Sequence, residues 1–301
     1  MALVMMAGSV VAGSTPMGGG AVSFPVLVYF FGETPEHART FGLAIQAAGM
    51  TSALVFILNR RMRIQTQLLL ASSAGAAAGM MIGTFLVGPH VGGGWVKLLF
   101  ACLWMSFALL TIAKNREICS LKGQPVLGWK TSLQIGLSIG ILGGLIASMI
   151  GVGLEMLIYT VLVLAFRCDM KVAIPTAVCA TAVTSVIGIL LHAGMGDIPQ
   201  PVVGEWIAAA PIVVFGAPIG AYLSNRVSRT KLLYCISALC VFQFLWALKA
   251  VPLGPAEMVF VVVALTAAGG GFTFLYQVGK GRIGQPGVLP GQAETCPTYE
   301  S

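Results

Sequence analysis

The chain has 301 residues, of which 57% are apolar and only 9% charged, with a mean hydropathy of +0.92 and a formal net charge of +7. Soluble domains carry about 25% charged residues, so this composition excludes a soluble protein. The apolar runs are continuous rather than alternating, which excludes a β-barrel and predicts an all-α polytopic membrane protein.

In chain order, residues 2–31 form an apolar run interrupted at Ala12-Gly13-Ser14-Thr15-Pro16-Met17-Gly18-Gly19-Gly20-Ala21. The opening MALVMMAGSVVAG has no basic n-region and no clear cleavage site, and reads as mature chain rather than a signal peptide. Uninterrupted spans of about 20 residues are predicted at 40–58, 66–88 and 95–113. A second interrupted region covers 131–166, broken at Ala147-Ser148-Met149-Ile150-Gly151-Val152-Gly153-Leu154-Glu155. Spans follow at 172–192, 205–223, 231–249 and 256–278, and then a Gly- and Pro-rich polar tail, 279–301, whose composition predicts disorder. Each arm flanking a break is expected to hold about 11–17 residues, enough to reach the bilayer middle but short for a crossing.

Positive charge predicts the topology. Basic clusters lie at Arg60/Arg61/Arg63, at Lys114/Arg116/Lys122/Lys130 and at Arg226/Arg229/Lys231. Placing all three in the cytoplasm requires 131–166 to enter and return on the cytoplasmic face, and 2–31 to do the same from outside. Arg39, Lys97 and Lys249 then remain external. The N-terminus is expected in the periplasm and the C-terminus in the cytoplasm of a bacterial inner membrane. The basic excess therefore orients the protein in the lipid bilayer and implies no nucleic-acid partner. The expected organisation is an inverted repeat: 1–113, a cytoplasmic connector 114–130, a second repeat 131–249, an additional helix within 250–278, and the tail 279–301. Each repeat is a re-entrant helical hairpin followed by three transmembrane helices.

The segments G-S-T-P-M-G-G-G-A-V-S-F-P and S-M-I-G-V-G-L-E, with the following A-R-T-F-G-L-A and V-A-I-P-T-A-V, resemble the TauE/SafE sulfite exporter family of bacterial inner-membrane transporters. The resemblance covers roughly residues 1–278. It implies transport of sulfite, sulfonates or other small organosulfur anions. Leu154-Glu155 departs from the family pattern, standing where the second hairpin usually continues in glycine.

A broken helix at membrane depth frees backbone groups that are tolerated only where they line a cavity or bind something, and paired breaks in two halves mark a transporter's binding site. Helix N-termini favour anions. The substrate-binding candidates are therefore Ser14, Thr15, Gly18, Gly19, Gly20 and Ser23 at the first tip and Ser148, Gly151 and Gly153 at the second. Gln46 and Thr176 join them from the helices that follow. No Lys or Arg lies within the predicted membrane interior, which suits a site built from dipoles and hydroxyls. Glu155 is the one carboxylate expected near the midplane; an ionisable group there is a functional candidate, and a proton-coupling role is expected. The stripes Gly75/Gly79/Gly83 and Gly136/Gly140/Gly144 are expected to pack helices closely.

Gly136-Leu137-Ser138-Ile139-Gly140 matches GxSxG, but that pattern needs a strand-to-helix elbow with His and acid partners. An intramembrane serine hydrolase is thus the weaker alternative, beside a passive anion channel. No catalytic residue, metal site or cofactor is expected. The seven cysteines, Cys102, Cys119, Cys168, Cys179, Cys235, Cys240 and Cys296, form no CxxC pair. The partners expected are a small anion, a coupling proton and lipid, with a homodimer open as the assembly.

Overall fold

The protein is described by a computed structural model covering residues 2–121, 123, 128–226 and 228–281. These residues form eleven helices and one isolated bridge pair. Helix α1 (Ala2–Ser14) and the return arm α2 (Gly20–Phe30) make the first hairpin. Helices α3 (Pro35–Asn59), α4 (Thr66–His90) and α5 (Gly93–Ser120) follow. The second hairpin pairs α6 (Trp129–Ile150) with α7 (Leu154–Ala165). Then come α8 (Met170–Met195), α9 (Gln200–Arg226), α10 (Arg229–Ala250) and α11 (Pro255–Gly281). Eight of these, α3 to α6 and α8 to α11, are long and apolar enough to cross a membrane.

Local sequence sets the boundaries. Thr34 caps α3, its hydroxyl accepting from the His37 amide at 3.2 Å, with Pro35 at the first helical position. Asp169 caps α8 by accepting from the Lys171 amide, and Ser228 does the same for α10 through Lys231. Gly151 closes α6 in the left-handed conformation, its N–H returning to the Ala147 carbonyl at 2.8 Å. Both return arms end in a five-residue π-helical turn, Val26–Phe30 and Val161–Ala165.

Each predicted span lies within an observed helix, with two differences of extent. Helix α5 continues past 113 to Ser120 through a non-helical turn at Lys114, so part of the expected connector is helical. Helix α6 has 22 residues rather than the expected 11–17. Its glycines do not end it, because a helical glycine costs only about 1 kcal/mol against alanine and here each admits a neighbour. Residues 122, 124–127, 227 and 282–301, and with them most of the expected tail, lie outside the described residues.

The glycine stripes pack helices, as expected from the sequence. A Cβ placed on Gly140 would sit 2.3 Å from the Ser72 carbonyl oxygen, one on Gly144 2.2 Å from that of Ala76, and one on Gly79 2.1 Å from that of Ile141. Helices α4 and α6 thus touch backbone to backbone. The first hairpin repeats this elsewhere: a Cβ on Gly13 would lie 2.0 Å from the Ala217 oxygen, and one on Gly220 2.2 Å from that of Val10, joining α1 to α9. Helix α3 packs on both α8 and α9, α5 packs on α10, and α11 runs outside along α5 and the end of α7.

The two ends of the second hairpin are tied together. Gly123 bridges to Cys168, and the Asp169 amide donates to the Gly123 carbonyl at 2.7 Å. Arg167 pairs with Glu117 of α5, whose other oxygen accepts from the Tyr276 hydroxyl at 2.7 Å. Exposed Lys130 and Lys171 flank this junction. Cysteines placed at these two positions should react with a membrane-impermeant thiol reagent from the same side of sealed vesicles. Reaction from opposite sides would mean that the segment crosses instead of returning.

Candidate functional site

The two breaks meet against one face of α3. Arg39, Gly42 and Gln46 lie at i, i+3 and i+7 on that helix and so share a side. A Cβ on Gly42 would lie 3.5 Å from Gly20 Cα of the first tip, and one on Gly20 would lie 2.4 Å from the Val152 side chain of the second. Gly20 therefore allows the tips to touch. Gly18 has a φ of +69° and Gly151 of +78°, conformations that a glycine adopts without strain.

Gln46 is buried at the centre. Its amide nitrogen donates to the Gly42 carbonyl at 3.0 Å and to the Gly151 carbonyl at 2.9 Å. Both N–H groups are thus occupied, which fixes the amide orientation and leaves only its oxygen to face a ligand. Glu155 is 2% exposed. Its Oε2 accepts from the Gly153 amide at 3.2 Å and from the Thr181 hydroxyl of α8 at 3.4 Å. One carboxylate oxygen therefore caps the start of α7, supplying the negative charge that a helix N-terminus favours. Its Oε1 has no hydrogen-bond partner among the described residues, and neither do Gln46 Oε1 and Ser23 Oγ.

The sequence-derived candidates divide. Gly18, Gly19, Gly20, Ser23, Gln46, Gly151, Gly153 and Glu155 come together here. Ser14 and Thr15 turn back to end α1, both hydroxyls donating to the Val11 carbonyl, at 3.2 and 2.7 Å. The Ser148 hydroxyl donates to the Leu145 carbonyl at 2.7 Å and faces Gly83 of α4. Thr176 stands elsewhere, accepting from the Gln65 amide at 3.0 Å and donating to the Val172 carbonyl at 2.7 Å. Ser138 is exposed and donates to the Gln134 carbonyl of its own helix at 2.9 Å.

Arg39 is the residue that the sequence reading passed over. It falls one position outside the predicted span 40–58, yet α3 begins at Pro35 and carries it into the packed interior. A Cβ on Gly151 would lie 2.9 Å from the Arg39 carbonyl oxygen, so its backbone abuts the second tip. Its guanidinium donates to the Ser148 carbonyl at 3.4 Å and lies 3.6 Å from Asp197. Nε is buried without a partner among the described residues. A guanidinium therefore lies beside the second tip. The signal available in the sequence was Thr34-Pro35, a capped helix start that moves the helix boundary five residues upstream.

Over residues 1–247 the chain matches the family described as Sulfite exporter TauE/SafE. No curated protein and no solved structure matches it.

Proposed function

The chain belongs to the TauE/SafE sulfite exporter family, and from that premise we propose that it is a secondary transporter that carries sulfite or small organosulfonates across a bacterial inner membrane. The observation that carries this reading is the meeting of two glycine-broken hairpins against α3, with Arg39 beside the second tip. A small oxyanion is held between the tips by the Gly20 and Ala21 amides that open the first turn of α2, by Ser23, and by Arg39, whose planar donors match an oxyanion. Glu155, on the return arm of the second tip, carries the coupling proton. Alternating access follows from an inverted repeat of 1–113 and 131–249 around the fixed site. Three features support the repeat. The packing of α1 on α9 is matched by that of α6 on α4, α3 packs on α8 as α5 packs on α10, and both return arms end in a π-helical turn.

The test is a thermal-shift titration of the detergent-solubilised protein with sulfite, thiosulfate, short sulfonates and small carboxylates. A ligand that binds only the folded state stabilises it by about 2.7 kcal/mol at one hundred times its Kd. Sulfite or a sulfonate should raise the melting temperature saturably, with carboxylates weaker. No shift with any sulfur oxyanion would overturn the reading. In proteoliposomes, uptake of the same anion should saturate; a flux that rises linearly with concentration would point to a channel.

A further inference from the structure

Resting on that reading of the site, we propose that Gln46 and Glu155 together form a binding site for a monovalent cation, a proton held on the carboxyl or a sodium ion in its place, and that Gln46 serves this cation rather than the transported anion.

The geometry is specific. A Cβ placed on Gly18 would lie 2.7 Å from Gln46 Oε1 and 2.7 Å from Glu155 Oε1, so two oxygens from different elements converge on one point beside the first tip. The side chains are 1% and 2% exposed, and neither oxygen has a hydrogen-bond partner among the described residues. Gln46 cannot relieve this by turning its amide over, because its nitrogen is held by the Gly42 and Gly151 carbonyls. Two acceptors aimed at one buried point repel unless positive charge sits between them, and an uncompensated buried polar group is costly. A proton on Glu155 Oε1 donates to Gln46 Oε1; a sodium ion accepts a lone pair from each. An anion, by contrast, meets only lone pairs here.

Among the described residues, no cationic side chain is paired with Glu155. Glu155 faces Gly18 of the first tip, with Gln46 of α3 across the same point, and accepts from the Gly153 amide and from Thr181 of α8, none of them charged. The charged group on the same tip is Arg39, placed on the Ser148 carbonyl and paired with Asp197. Gly18 is part of the arrangement, since any side chain there would fill the point where the oxygens converge.

The site draws on both hairpins, because Gln46 also holds the Gly151 carbonyl. A loaded cation therefore ties the tips together and offsets the carboxylate's repulsion of a neighbouring anion. Cation and anion should each raise the other's affinity, by about 5–150-fold for a typical coupling, and travel in the same direction.

The experiment measures the melting temperature of the full chain in detergent without any anion. One series raises sodium against a choline background at fixed pH; the other lowers pH in choline alone. A rise in the first series that is lost in both Glu155→Gln and Gly18→Ala identifies sodium, and a rise in the second that is lost in both identifies the proton. Either result supports the proposal. Glu155→Gln preserves shape, and Gly18→Ala keeps both oxygen-bearing side chains while its Cβ, 2.7 Å from each oxygen, forces them off their common point, so failure of one variant to fold leaves the other to decide. No response to either ion, or a response retained in Glu155→Gln or in Gly18→Ala, overturns it. Sulfite binding measured separately in choline at fixed pH reports the anion site, so loss of the cation site and loss of the anion site are told apart.

Discussion

Replacing Gly144 by valine is expected to separate α6 from α4 and abolish most of the folded protein. A Cβ at this position would lie 2.2 Å from the Ala76 carbonyl oxygen and 2.8 Å from its carbonyl carbon and Cα. All three are backbone atoms, so no side chain can swing away and the helices must part. Overpacking a fitted interface costs about 1–3 kcal/mol even where side chains can adjust, and here the cost belongs at or above the top of that range. In lipid there is no hydrophobic force to hold the pair once close packing is lost. The effect should extend to the site, because α6 carries Gly151 at its end. Gly269 on α11 is the control, since a Cβ there meets nothing within 4 Å. Gly269→Ala should be neutral or stabilise the helix by up to about 1 kcal/mol. Size-exclusion profiles and melting temperatures of the two variants measure the contrast. Equal stability of Gly144→Val and the parent would mean that α4 and α6 do not touch as described.

Arg39→Gln is expected to weaken sulfite binding about tenfold to a hundredfold while leaving the protein folded. Hydrogen bonds to charged groups contribute about 1.5–3 kcal/mol, and each 1.4 kcal/mol is a factor of ten. The contact between α3 and the second tip is made by the Arg39 backbone, which the substitution keeps. Its side-chain interactions with the tip and with Asp197 are long, at 3.4 and 3.6 Å, so little stability should be lost. Arg39→Lys keeps the charge but not the planar pair of donors and should fall between the two. The sulfite-induced thermal shift decides the matter. A parent-like response in Arg39→Gln would remove the guanidinium from the anion site and leave its contact with Ser148 as a structural one.

Much of the candidate site was legible in the residues because breaks in apolar runs are local signals. Pro16 and the glycines that follow mark the first break, and Gly151 and Gly153 mark the second, with Glu155 beside it; the structure places these two tips together. Side-chain direction was not legible. Ser14, Thr15 and Ser148 stand in the right stretches of chain, but their hydroxyls donate to carbonyls three or four residues back, a choice open to any helical Ser or Thr. Thr176 was a candidate from the helix after the second hairpin, yet its hydroxyl joins α8 to the start of α4. Arg39 was missed because a hydropathy window ends a span at its first charge, whereas the helix begins at its cap.

Composition and the period of the apolar runs determined on their own that this is a multi-span helical membrane protein with two interrupted hairpins. Hydropathy, helix-breaking and capping act within a few residues, so they can be read along the chain. Which face of α3 meets the tips, where α6 ends against α4, and that the oxygens of Gln46 and Glu155 converge at Gly18 were decided only in three dimensions. Those contacts join residues well separated in the chain, such as Gly144 with Ala76 and Gly18 with Glu155, and they depend on backbones approaching to within van der Waals distance, which no local property of the chain encodes.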